Sequence, residues 1–192
     1  MIPKCLKIIE SYKNEEKSIG FKTLKMIFNR TNKDDIIWFD ELLIKILYEN
    51  MVFREINVIE SSIPCVIQLL KIIEKEKHFE YFLKEFFNSL QYLNNNEQRT
   101  VYLLNLNEIF LSIGILSTKY FKKIFKILLS EEYLNSEIMK FTIKCIETIS
   151  KECWPRMTKK LKVNIIKTLN SNDYQKKNEL EIKKIEILFS NF

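Results

Sequence analysis

Apolar residues in this chain recur every three or four positions and then give way to short polar breaks, the pattern of amphipathic helices packed by one face. Segment 2–12 predicts a short helix and 15–29 a second, apolar at Ile19, Phe21, Leu24, Ile27 and Phe28. Asp34 and Asp35 cap or charge the start of the next, which runs to about Met51 with Ile37, Trp38, Leu42, Ile46 and Leu47 inside. Its partner covers roughly 57–75, where Pro64 either kinks the helix or marks its first turn after Ser61 and Ser62. The stripe Phe79, Phe82, Leu83, Phe86, Leu90 and Leu93 predicts a helix over 78–93. After Asn94, Asn95 and Asn96, with Glu97 in its first turn, a helix carrying Tyr102, Leu106, Ile109 and Ile113 on one face closes at Gly114, a left-handed cap. Ser117 or Thr118 opens a helix through Leu129, and Asn135 or Ser136 opens one to Cys153, apolar at Ile138, Phe141, Cys145 and Ile149. Thr158 opens another to about Leu169, and beyond the polar break at 170–173 a last helix covers 180–189.

These segments pair off. The first members begin near Ile2, Asp34, His78, Ser117 and Thr158, intervals of about 40 residues, the period of HEAT and armadillo-type repeats. The expectation is an all-α protein, a short α-solenoid of about five HEAT-like antiparallel helix pairs forming a single helical-repeat domain over 1–192. No pair can bury its apolar stripe alone, so neighbours must stack. The pairs do not match one another residue for residue, which keeps a non-repetitive helical bundle as the alternative. Two glycines and three prolines in 192 residues exclude most β architectures, which need turn residues at short intervals.

Charge changes the picture in the second half only. Residues 1–114 carry 15 Lys/Arg against 16 Asp/Glu, whereas 115–192 carry 16 against 9. Such a block is either a solvated lysine-rich surface or an attraction for an acidic protein, an anionic lipid or nucleic acid. The longest apolar run, Ile109 to Leu116, is broken by Ser112 and Gly114, so no membrane span is expected, and the start of the chain lacks the apolar core of a signal peptide. The expected location is therefore intracellular, cytoplasmic or nuclear. Cys5, Cys65, Cys145 and Cys153 are scattered at apolar helical positions, which predicts buried free thiols rather than a zinc site.

Catalytic motifs are missing. The single histidine, His78, sits at a helix start among charged residues and reads as a solvated or capping side chain, and the phosphate-cradling and nucleophile-elbow motifs do not occur. The carboxylate pairs Glu15-Glu16, Asp34-Asp35 and Glu131-Glu132 fall at helix starts or turns, where they suit the helix dipole. A non-enzyme without cofactor or metal is expected. One stretch stands out, Glu152-Cys153-Trp154-Pro155-Arg156-Met157, in which Pro155 stops the preceding helix near Cys153. Trp154 then either plugs the seam between two helical pairs or, with Arg156, forms a docking point, since Trp and Arg most often dominate interface energies.

Glu97-Gln98-Arg99 opening a helix, Leu111-x-x-Gly114 closing it, Tyr120-Phe121-Lys122-Lys123 and then Cys153-Trp154-Pro155-Arg156-Met157 together resemble the Tel-two-interacting protein two family. The resemblance is strongest over 97–169, and the first half fits only as generic repeats. It implies an α-solenoid subunit of the TTT cochaperone complex that binds two larger helical-repeat partners and, with the ninety-kilodalton heat-shock chaperone, supports maturation of phosphatidylinositol 3-kinase-related kinases. The partner-binding residues so implied are Trp154, Pro155, Arg156, Arg99, Lys122 and Lys123. Family members are usually longer at the N-terminus, so a reduced version is implied. Two other readings compete: a nucleic-acid-binding repeat protein using the basic C-terminal third, and a HEAT-type transport adaptor. Against the former, neither a recurrent polar code nor stacking aromatics recur at fixed repeat positions.

Overall fold

The computed structural model describes residues 1–51, 55–113, 119–134, 137–170 and 179–190. Among these, every regular element is helical: α1 (Ile2–Ile9), α2 (Asn14–Phe28), α3 (Asp40–Asn50), α4 (Ile56–Ile73), α5 (Glu76–Gln91), α6 (Asn96–Ile113), α7 (Phe121–Leu128), α8 (Met139–Glu152), α9 (Lys159–Asn170) and α10 (Glu179–Ser190). The all-α expectation holds. Gly114, Ser117, Thr118, Asn135, Ser136 and the break at 171–173, read above as caps and linkers, lie outside the described residues. The chain divides into two compact units, Met1–Ser89 and Leu90–Phe192.

In the first unit α2 lies against α4, with α1 on α2 and α3 on α4. The α1–α2 approach depends on Gly20, because a Cβ built there would sit 2.7 Å from Ile9 Cγ1 and 3.0 Å from the Ile9 backbone nitrogen. Lys17, one turn earlier on α2, is buried and donates to the Ile9 carbonyl (2.9 Å) and to Asn50 Oδ1 (2.8 Å), so it satisfies the last carbonyl of α1. Burial pushes its ammonium below the ordinary lysine value.

Pro64 lies inside α4, well past its first turn. Its missing N–H deprives the Glu60 carbonyl of a helical donor, and Glu60 is on the exposed side, where water can serve instead. Of the 18 residues of α4, 11 are buried, so this helix is apolar nearly all round. It is long and apolar enough to cross a membrane by length and composition, which corrects the reading of Ile109 to Leu116 as the longest such run; its burial is that of a core helix.

The third segment also departs from expectation. Asp34 and Asp35 do not start the long helix but sit in a 3-10 turn, Lys33–Asp35, closed by a reciprocal box in which Asn32 and Asp35 each accept from the other's backbone N–H. The α-helix begins only at Asp40, and its buried face is Leu43, Ile44 and Leu47. Trp38 and Leu42, expected inside, are 91% and 56% exposed. Ile37 and Trp38 precede the α-helix, and within it the buried stripe is one position out of phase with the expected Leu42 and Ile46.

In the second unit α6 lies against α8, α7 on α8, and α10 against both α8 and α9. The expected faces of α6 and α8 are largely the buried ones: Tyr102, Leu106 and Ile109 on the former, Ile138, Cys145 and Ile149 on or just before the latter. All four cysteines are buried free thiols, and Cys145 Sγ donates to the Leu103 carbonyl at 3.1 Å, fastening α8 to α6. Burial pushes the Cys65 and Cys145 thiols far above the usual range, so neither ionises readily.

Candidate functional site

At the exit of α8 the chain does what Pro155 requires. The helix ends at Glu152, and Trp154–Arg156 form a 3-10 turn, with Arg156 N–H on the Cys153 carbonyl (2.9 Å) and Met157 N–H on the Trp154 carbonyl (3.0 Å). Thr158 then caps α9, its Oγ1 accepting from the Leu161 N–H at 3.3 Å. Cys153 and Met157 are buried, whereas Pro155 and Arg156 are exposed and Trp154 is 49% exposed. The seam is therefore filled by the two residues flanking the tripeptide, and Trp154 itself is only half inside. The turn holds Trp154, Pro155 and Arg156 together at the surface between two buried anchors.

A second site forms around Arg99, at the start of α6. Its guanidinium is buried and donates to the Leu93 carbonyl through Nε (3.0 Å) and Nη2 (2.7 Å) and to Asn96 Oδ1 through Nη1 (3.0 Å), with a longer contact to the Glu132 carbonyl (3.4 Å). It also lies over the Tyr133 ring, 5.4 Å from the centroid. Tyr133 is buried and gives its hydroxyl to the Leu90 carbonyl, and Thr142 on α8 donates to the Tyr133 carbonyl at 2.7 Å. Arg99 thus ties the α5–α6 connection to the turn after α7 and is not a free surface contact. Lys122 and Lys123 are exposed on α7, and of the two Lys123 lines the cleft beside Arg99.

Arg99, Lys123 and Lys126 line a cleft of about 480 Å³ together with Ser130, Glu132 and Tyr133. A hydrogen bond from Ser130, a second from its own backbone N–H and the nearby Arg99 charge hold the Glu132 carboxyl below its ordinary value despite some burial, so it is an anion at neutral pH. The described lining thus carries three cations and one carboxylate. No family model, curated protein or solved structure matches this chain. The chemistry of its sites has to be argued from the residues themselves.

The first unit holds a cluster that sequence reasoning missed. Asp40 is buried at the start of α3 and ion-paired with Lys75, and the neighbouring Glu41 pairs with Lys77. Burial alone would raise the Asp40 carboxyl, but the hydrogen bond and charge of Lys75 outweigh it and hold Asp40 below its ordinary 3.8. His78 is at a helix start as expected, yet buried rather than solvated, and its Nε2 has no hydrogen-bond partner among the described residues. Burial first, then the positive charges of Lys77 and Lys75, push the imidazole below 6.5 against the opposing pull of Asp40 and Glu41.

Proposed function

We propose that this chain is a non-enzymatic scaffold subunit of the Tel-two-interacting type, which binds larger helical-repeat proteins of a TTT-like complex and so supports folding and assembly of phosphatidylinositol 3-kinase-related kinases inside the cell. The observation that carries this reading is the turn at the end of α8, where a half-exposed Trp154 and exposed Pro155 and Arg156 are pinned between buried Cys153 and Met157. Tryptophan and arginine on a rigid support are the residue types from which interface hot spots are most often built, because little conformational entropy is lost when they dock.

The packing order supports a short solenoid of HEAT-like pairs. Within each unit even-numbered helices lie on one another, α2 on α4 and α6 on α8, and α1, α3, α7 and α9 lie on α2, α4, α8 and α10 respectively. Stacked helix pairs produce that order, with one member of each pair forming an inner layer.

The test is affinity purification of the tagged wild-type chain and of Arg156→Ala, with thermal melts of both. Arg156 is exposed, so its truncation should leave the melting temperature unchanged and reduce recovery of two large helical-repeat partners. Equal recovery by both chains would reduce the turn to architecture. Recovery of no such partner by wild type would sink the family reading, and a nucleic-acid gel shift at low salt would then favour the basic-surface alternative.

A further inference from the structure

We propose that the outer face of α9, with the turn that leads into it, lies on an anionic lipid surface. This does not rest on the scaffold reading, since it is tested with vesicles alone. From Cys153 to Asn170 the sequence has five cations, Arg156, Lys159, Lys160, Lys162 and Lys167, and no carboxylate. At about 100° per residue, Lys159, Lys160, Val163, Asn164 and Lys167 fall within an arc of about 140° on one side of α9, and all of them are exposed. The opposite side carries the buried Ile165 and Leu169. Lys162 belongs to that inner side, 6.0 Å from the centroid of the Phe189 ring, and is left out of the outer charge. The ammonium groups of Lys159, Lys160 and Lys167 make no hydrogen bond or ion pair among the described residues. On the neighbouring α8 and α10, Glu147 and Glu179 are paired with Lys151 and Lys183 of their own helices. Three outward lysines on one helix face are thus without a counter-charge among the described residues.

A lipid surface, an acidic protein and nucleic acid can all attract such a face, and the residue types choose among them. Lysine is a compact, strongly hydrated point charge on a flexible stem; protein interfaces deplete it, and fixed recognition of carboxylates relies on the planar fork of arginine. A lysine face suits a fluid array of anions, which demands no single geometry. The second observation is apolar. Val163, 58% exposed, stands among Lys159, Lys160 and Lys167, and the half-exposed Trp154 sits on the turn before the helix. A phosphodiester backbone gives an exposed valine nothing to contact, whereas the boundary between lipid headgroups and acyl chains accepts apolar side chains and favours tryptophan. The same combination recurs on α10, which lies against α9: exposed Leu180, Lys184 and Ile187 share one side of that helix at spacings of four and three.

The experiment is cosedimentation of the full chain with vesicles of phosphatidylcholine alone and of equimolar phosphatidylcholine and phosphatidylserine, with Trp154 emission followed in a Trp38→Phe background. Binding to the mixed vesicles only, with a blue shift of Trp154, is expected. Lys160→Gln combined with Lys167→Gln should weaken that binding about 25-fold, roughly fivefold per lysine. The same change in net charge made on α1, at exposed Lys4 and Lys7, should alter it by no more than about twofold. Glutamine matches lysine in helix propensity, so the melting temperatures of these variants should not move. Val163→Asn separates the surfaces, with about a threefold loss on vesicles and none on a labelled duplex oligonucleotide. Failure to bind the mixed vesicles, equal binding to both kinds, equal weakening by the α9 and α1 variants, or an unshifted Trp154 emission would each overturn the proposal. Tighter binding of the oligonucleotide than of vesicles would overturn it in favour of nucleic acid, and complete displacement from vesicles by polyglutamate at matched charge in favour of an acidic protein.

Discussion

Replacing Arg99 by Met asks whether this residue holds the second unit together. Three things oppose each other. The guanidinium gives two hydrogen bonds to one carbonyl, at 3.0 and 2.7 Å, and a third to Asn96, and charged hydrogen bonds contribute about 1.5–3 kcal/mol when the partner would otherwise stay buried and unpaired. Its position over Tyr133 adds roughly 0.5–1 kcal/mol. Against these, a cation in the first turn of α6 faces the positive end of the helix dipole, which costs about 0.3–1 kcal/mol and is relieved on substitution. Hydrogen bonding wins, and Arg99→Met should destabilise by about 2–4 kcal/mol. Arg99→Lys keeps the charge but cannot fork onto the Leu93 carbonyl, so it should recover less than half of that loss. Urea unfolding followed by the fluorescence of Trp154 in a Trp38→Phe background reports on this unit, because Trp38, 91% exposed in the other unit, is replaceable at little cost. A midpoint for Arg99→Met equal to wild type would refute the claim that Arg99 is spent on structure.

Two further outcomes are expected from the first unit. Gly20→Ala should gain up to about 1 kcal/mol of helix propensity but lose about 1–3 kcal/mol to overpacking, since fully buried Ile9 cannot retreat from a new Cβ; net destabilisation in urea is expected, and a stabilised variant would show that α1 moves freely. For His78 the folded value lies below the unfolded 6.5, so the unfolded chain binds the proton more readily and stability falls as the pH drops through 6.5 towards the folded value. Thermal melts between pH 7.5 and 5.5 should show His78→Gln losing less than wild type over this range, about the pH span in which free imidazole titrates; identical pH profiles would remove the buried-histidine account. Asp40, also depressed, adds its own loss only below 3.8, outside that window.

What could be read from the sequence was whatever depended on neighbours three or four positions away. All six apolar residues expected on one stripe of 78–93 are buried, because a strong 3.6-residue period has one way to face a core. The α8 stop at Pro155 is equally local. The start of α3 was not legible, since a box formed by Asn32 and Asp35 caps a 3-10 turn as well as an α-helix, and nothing in the spacing distinguishes them. Arg99 and His78 failed for a different reason. A lone arginine near a helix start and a histidine among charges both suggest solvent, but the first is drawn inside by a carbonyl six residues upstream and the second sits beside the Asp40–Lys75 pair, contacts that no periodicity encodes. Trp154 shows the limit most plainly. Its place on a turn follows from Pro155, whereas the fraction of the ring left in water is decided by Cys153 and Met157 taking the inner positions.

The scarcity of glycine and proline has a consequence for where recognition can occur. With two glycines in 192 residues, connections cannot be shaped by backbone freedom and are shaped by side chains instead. Asn32 and Asp35 close one turn, the Asn95 amide oxygen accepts the Glu97 N–H at the start of α6, Arg99 gathers the Leu93 carbonyl, and Tyr133 and Thr142 tie the turn after α7 to its surroundings. Even the left-handed cap of α4 is a glutamate, Glu74 at φ 56°, where glycine is the usual choice. Core helices such as α4, buried on most sides, have no face left to present. Among the exposed groups, Trp154 to Arg156 lie on one turn and Lys123 and Lys126 next to another. Because the first turn is fixed by backbone bonds between buried Cys153 and Met157 and the second by the Arg99, Tyr133 and Thr142 side chains, their exposed residues are held in place before any partner arrives, which lowers the ordering cost of binding. The same logic makes the supporting polar residues, Arg99 above all, the positions where a substitution would damage shape and recognition together.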